Sequence, residues 1–256
     1  MRRLVSAFSF CALLALVPPA LAGTEQNGVC GAPDEFVRTD APLGQLAAAI
    51  AAGGAVDILA VGSATTVGSV TSMTPGAAQG GSFPWRTVNA LHAQIPSVDF
   101  RLTVRGGRGM TAEDMLPLIE AALKEKHYPL VLWQTGTVEA VRGLQPDGLL
   151  DVLHKGAEAV RAASGDLVLI DPQFSRFLRA NTDLDPYENV MQQVATMPGV
   201  ALFRRFDLMR TWANDGGVDL ERAPKADRDK ALEQLNICLG KTLAQFVLSG
   251  ADVGRK

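Results

Sequence analysis

Apolar runs and stretches of helical spacing take turns along this chain. Residues 56–61 read Val-Asp-Ile-Leu-Ala-Val and stop at Gly62. A nearly continuous run of that length predicts a strand buried on both faces. Residues 98–104, 130–133, 167–170 and 199–203 have the same character. Between them the apolar positions return every three or four residues, the period of an amphipathic helix. Residues 43–52 form a short alanine-rich helix that Gly53 and Gly54 end. Pro84 opens a helix with Trp85, Val88, Leu91 and Ile95 on one stripe, and His92 lies one position off it. Thr111 with Asp114 three residues on is a capping-box pattern for a helix running through Lys124. Asp147 is the expected cap of the next helix, on whose face His154 falls, and Asp185-Pro186 starts another. In the last helix, residues 225–248, Leu232, Leu235, Leu239, Leu243 and Phe246 share a face.

Strands alternating with helices predict a parallel sheet covered on both sides. No repeat or linker divides residues 23–256, which read as one α/β domain. Every predicted strand ends at small or polar residues, and ligands collect at such carboxyl ends in open parallel sheets. A Ser/Thr/Gly-rich loop at 68–82 is too polar to pack and sits where a binding loop would sit.

Composition narrows the function classes. The chain has 256 residues, 47% of them hydrophobic, and a net charge of −3, which gives nucleic acid or an anionic membrane nothing to attract. Its amino terminus has the form of a signal peptide, residues 1–22: Arg2 and Arg3, an apolar stretch broken by Pro18 and Pro19, and Ala20-Leu21-Ala22 at the cleavage site. The expectation is an exported protein, periplasmic or secreted, with no stable membrane insertion after cleavage. Cys11 leaves with the signal. Two cysteines, Cys30 and Cys238, remain in an oxidising compartment and favour a disulfide over a pair of buried thiols. No metal-ligand cluster, phosphate loop or dinucleotide fingerprint is present in the sequence, so no cofactor or metal is expected.

Three strand-end turns carry a resemblance. Gly62-Ser63-Ala64 follows the first strand, Arg105-Gly106-Gly107-Arg108-Gly109 the second, and Gly136-Thr137-Val138-Glu139 the third. In this order they resemble the motifs of the SGNH/GDSL hydrolase superfamily. The resemblance implies a flavodoxin-like three-layer αβα fold around a five-stranded parallel sheet. It also implies acyl transfer by a serine, activated by a histidine that an aspartate orients, with oxyanion donors from the turns. Here the nucleophile position reads Ala64 and the asparagine position Val138. The histidine position, before the last helix, falls near Lys230, in a segment without histidine; none follows His154. Ser63 takes the family's aspartate position.

What these turns retain is a polar pocket. Gly62, Gly106 and Gly136 allow close approach of backbone amides, and Ser63, Thr65, Thr137 and Glu139 offer polar contacts. Arg105 and Arg108 suit a carboxylate, phosphate or acidic sugar, against the plainer reading of a solvated edge. Trp133 reads as core. The leading expectation is a pseudoenzyme that binds an acylated or glycan-like ligand, or a partner protein. The alternatives are an esterase or deacetylase rearranged around Thr65 or Thr66, and a structural domain of the cell envelope.

Overall fold

The computed structural model describes residues 30–68 and 81–252. The expected signal peptide and most of the polar loop at 68–82 lie outside them. Five strands form one all-parallel sheet in the order β2-β1-β3-β4-β5: β1 is Gly54–Gly62, β2 Val98–Gly106, β3 Leu130–Gln134, β4 Asp166–Ile170 and β5 Val200–Phe203. The apolar runs are strands because both of their faces are covered. Val56, Ile58 and Ala60 enter one core with Leu130, Leu132, Val168 and Phe203. Leu59 and Val61 point the other way, into a second core with Val131, Trp133, Leu167 and Leu169.

Two helical layers supply those cores. On one side lie α2 (Gly44–Ala52), α4 (Phe83–Gln94), α10 (Arg205–Asn214) and α11 (Arg228–Gly250). On the other lie α5 (Ala112–Glu125), α7 (Pro146–Ala162) and α9 (Asp185–Val194). Short helices α1 (Asp34–Val37), α3 (Ala64–Val67), α6 (Thr137–Arg142) and α8 (Arg176–Asn181) fill the connections. This is the expected three-layer α/β fold. Trp133 is core, fully buried, and a Cβ on Gly156 of α7 would stand 2.3 Å from its ring. Cys30 and Cys238 are bonded, Cα to Cα 4.8 Å, which ties the amino-terminal segment to α11. Closing a loop of 208 residues contributes about 5 kcal/mol in the chain-entropy model.

Several local expectations need correction. Asp147 is not a cap: Gln145 holds that position and Pro146 opens α7, so Asp147 sits in the first turn, where it complements the helix dipole. The last helix starts at Arg228 after a 3-10 turn, Lys225–Asp227, and Leu232 on its expected apolar face is 40% exposed. On α4, Trp85 is only half-buried, and Thr87 is buried instead with its hydroxyl donated to the Phe83 carbonyl. The helices α6, α8 and α10 have no counterpart in the sequence reading.

Candidate functional site

In a sheet of this order the chain turns to opposite sides from β1 and from β3, and a crevice forms at their carboxyl ends. The three motif turns meet there. Gly106 makes the meeting of the first two possible. It has φ of 120°, and a Cβ on it would lie 2.0 Å from the Gly62 carbonyl oxygen. The next amide, Gly107 N–H, donates to that same oxygen at 3.2 Å. Gly62 has its own reason to lack a side chain, since a Cβ would stand 2.1 Å from Thr66 Oγ1.

The turn after β1 is organised around a residue of β3. Gln134, 2% exposed, presents its Oε1 to Thr66 Oγ1 at 3.0 Å, Thr65 Oγ1 at 3.2 Å, and Ser63 Oγ and N–H at 3.3 Å each. Convergence of four donors fixes the amide with its oxygen toward the turn. Ser63 caps α3 by position but gives its hydroxyl to Gln134 instead of to the helix. Ala64, first residue of α3, is half-exposed beside it, as is Thr65.

The loop after β3 is closed on itself. Glu139, 3% exposed, accepts from Gly136 N–H and Thr135 Oγ1 at 2.9 Å each and from the Ala112 amide that begins α5. Its carboxylate is committed inside the protein and does not face a ligand. Thr137 Oγ1 is buried without a partner among the described residues, and Val138 is half-buried on α6. Arg142 of α6 donates to the Gly109 carbonyl at 2.9 Å, joining the second and third loops.

A buried cation at this end of the sheet is one that sequence reasoning passed over. Arg205 opens α10 directly after β5 and is 1% exposed. Its Nη1 donates to Thr65 Oγ1 at 3.2 Å, and its Cζ lies 5.8 Å from the Phe83 ring centre. Among the described residues Nε and Nη2 have no hydrogen-bond partner. Burial lowers its pKa to about 10, against the pull of the Asp171 charge. Asp171, just past β4, accepts from Phe206 N–H at 2.9 Å, and burial pushes its carboxyl well above the usual range. The available signal was the position of Arg204-Arg205 at a strand's carboxyl end. The arginines singled out earlier lie elsewhere: Arg105 is exposed and paired with Glu125 at 2.8 Å, and Arg108 is exposed.

The histidines are far from the turns. His92 bonds the carbonyl of Phe100 near the start of β2, and His127 that of Ser164 just before β4, both at the opposite, amino end of the sheet. His154 is half-buried along α7. Lys230 lies exposed inside the first turn of α11 instead of ahead of the helix. Among the described residues no group of three or more His, Cys, Asp and Glu is placed to hold a metal ion, and no helix is long and apolar enough to cross a membrane.

Comparison with known proteins places this geometry. The sequence profile of the Non-GDSL lipase-like family matches residues 29–253. No curated protein matches the chain. Among solved structures, it is similar to the acetylxylan esterase Axe2 from Geobacillus stearothermophilus, at 14% identity over 80% of this chain and 96% of that one, with a TM-score of 0.58. It is also similar to a lipase/acylhydrolase from Enterococcus faecalis, at 15% identity over 76% and 96%, with a TM-score of 0.52. TesA matches at 19% identity over 73% and 99%, with a TM-score of 0.51. At these identities the likeness is one of fold.

Proposed function

Since the chain belongs to the non-GDSL lipase-like family, we propose that it keeps the hydrolase fold without the chemistry, as an exported binder of an acylated or glycan-like ligand. The ligand would sit on the loops that follow β1, β2 and β3. The observation that carries this reading is the state of the hydroxyls at the first turn. Ser63, Thr65 and Thr66 all donate to Gln134 Oε1. An amide oxygen accepts a hydrogen bond and does not take the proton at neutral pH, so none of these hydroxyls has a base. The other side chain on Thr65 is Arg205, again a donor. The position that resembles the SGNH/GDSL superfamily's nucleophile holds a methyl group in Ala64, and the one that resembles its asparagine an isopropyl group in Val138. Loss of one oxyanion donor alone lowers a rate by about 10²–10³. Export is supported by the signal-like amino terminus and by the Cys30–Cys238 bond, which persists in oxidising compartments.

A second reading has one observation in its favour. Arg205 Nη1 donates to Thr65 Oγ1, an arrangement that would stabilise an alkoxide there. Hydrolysis of p-nitrophenyl acetate separates the two. We expect no turnover above the uncatalysed rate from the wild type or from Ala64→Ser, because a restored serine still lacks a base. Turnover by the wild type that Thr65→Ala abolishes would replace the binder with an esterase built on Thr65.

A further inference from the structure

We propose that Arg205 is the anion-recognition residue of this face and takes an oxyanion of the ligand, a carboxylate or phosphate, on the Nε–Nη2 edge of its guanidinium. The proposal rests on the binding role given to the same loops, and it names the chemical group they select.

The argument starts from which donors are already used. Nη1 is spent on Thr65 Oγ1, while Nε and Nη2 are buried and meet no acceptor among the described residues. Those two nitrogens form one edge of the planar guanidinium, with their N–H bonds nearly parallel. Their spacing matches the two oxygens of a carboxylate or of a phosphate, the bidentate geometry that distinguishes arginine from lysine. Native proteins pair nearly all buried donors, so two open ones on a single edge call for an external acceptor. A neutral ester or amide offers one carbonyl oxygen to that edge and fills only half of it.

Charge points the same way. Among the described residues Arg205 makes no ion pair, and the aromatic face of Phe83 gives it only a weak attraction. Asp171 is the acid close enough to influence it, but burial drives that carboxyl toward its neutral form and Phe206 N–H already occupies one of its oxygens. A cation 1% exposed and not neutralised by a contact binds an incoming anion more strongly than a surface arginine does. Arg105 and Arg108, both exposed, lack this setting. Thr65, which Nη1 bonds, is itself half-exposed, so the guanidinium lies one side chain from solvent.

The test reads the arginine directly. Protein labelled with nitrogen-15 in its arginines gives one Nε–H resonance for Arg205, assigned by its absence in Arg205→Lys or, in the wild type, by its proximity to Thr65 protons. The resonance is followed through titrations with sodium acetate, inorganic phosphate and neutral acetamide at constant ionic strength. A saturable downfield shift with acetate, none with acetamide, and acetate binding about tenfold or more weaker in Arg205→Lys by calorimetry support a carboxylate ligand. The same behaviour with phosphate alone supports a phosphate-bearing one. No saturable shift with either anion, while the spectrum remains that of the folded protein, overturns the proposal. Ester hydrolysis by the wild type would overturn the non-catalytic reading and leave this shift as it is, so the two failures are separable.

Discussion

The loops that follow β1 and β3 lie side by side, and each buries a charged or strongly polar network, yet they end in opposite states. After β3, the Glu139 carboxylate collects Gly136 N–H, Thr135 Oγ1 and the Ala112 amide, all inside the protein. After β1, the hydroxyls collect on Gln134, and Arg205 bonds Thr65 with one nitrogen while Nε and Nη2 stay open. A satisfied network stabilises the fold, whereas an open one is held at a cost in stability. The difference separates a loop whose carboxylate is used within the scaffold from one that, under the proposed binding role, keeps donors for a ligand.

Substitutions can break or sharpen that contrast. The largest effect is expected where the turn after β1 rests on a backbone contact with the end of β2. Gly106→Ala forces a methyl group to 2.0 Å from the Gly62 carbonyl oxygen at φ of 120°, and should lower stability by about 4 kcal/mol or more, or prevent folding. Urea titration followed by circular dichroism checks it, and a change under about 1 kcal/mol would show that the turns can part.

Next comes Glu139→Ala. It strands three donors in a closed loop, each worth about 1 kcal/mol or more, so the loss should be near about 3 kcal/mol. The same titration should find the protein folded and weakened, with no change at the Arg205 Nε–H resonance.

Arg205→Met gives the contrasting result. Methionine fills much of the same volume without a buried charge, and such replacements are often neutral or stabilising. Stability without ligand should stay within about 1 kcal/mol of the wild type, or rise. A loss as large as that of Glu139→Ala would make Arg205 a scaffold residue and remove the difference between the loops.

The smallest change at any one pH is expected from Asp171→Asn, whose readout is a slope. Burial raises the Asp171 pKa above its ordinary 3.8, so the native state holds this proton more tightly than the unfolded chain. The stability this contributes is therefore fully present below 3.8 and is lost as pH climbs through the raised value. Asparagine keeps the acceptor for Phe206 N–H and cannot ionise. Wild type and variant should agree at acid pH, and the wild type should lose more as pH rises, measured by urea midpoints along a pH series.

How much of this was readable in advance follows from what each feature depends on. The strands were legible because both faces of residues such as Ile58 and Leu59 are covered, which leaves a continuous apolar run. The capping box at Thr111 and Asp114 was legible because it is local: the Asp114 amide donates to Thr111 Oγ1 at 3.2 Å, and the Thr111 amide donates to Asp114 Oδ2 at 2.9 Å. The Cys30–Cys238 bond followed from the expected export and from the two cysteines left beyond residue 22. Helix α10 was missed although Phe206, Met209, Trp212 and Ala213 mark its buried side, because it starts without a linker after β5 and carries three charged residues, Arg205, Asp207 and Arg210, in ten positions. Glu139 was read as a ligand contact and is an internal acceptor, since nothing in the sequence places the Ala112 amide beside it.

Sequence alone determined the order of the five strands along the chain, the glycine turns at the ends of β1, β2 and β3, and the identities of Ala64 and Val138 in the turns that resemble the superfamily's motifs. Local patterns suffice for these, because a run, a turn or an identity is complete within a few positions. Only the tertiary structure decided which polar groups meet across the sheet: Gln134 with Thr65, Glu139 with Ala112, and Arg205 with Thr65 across 140 residues. Such pairings depend on the order in which strands lie side by side and on the burial that follows. Burial is what turns an arginine in a charged segment into a fully enclosed cation with an open edge.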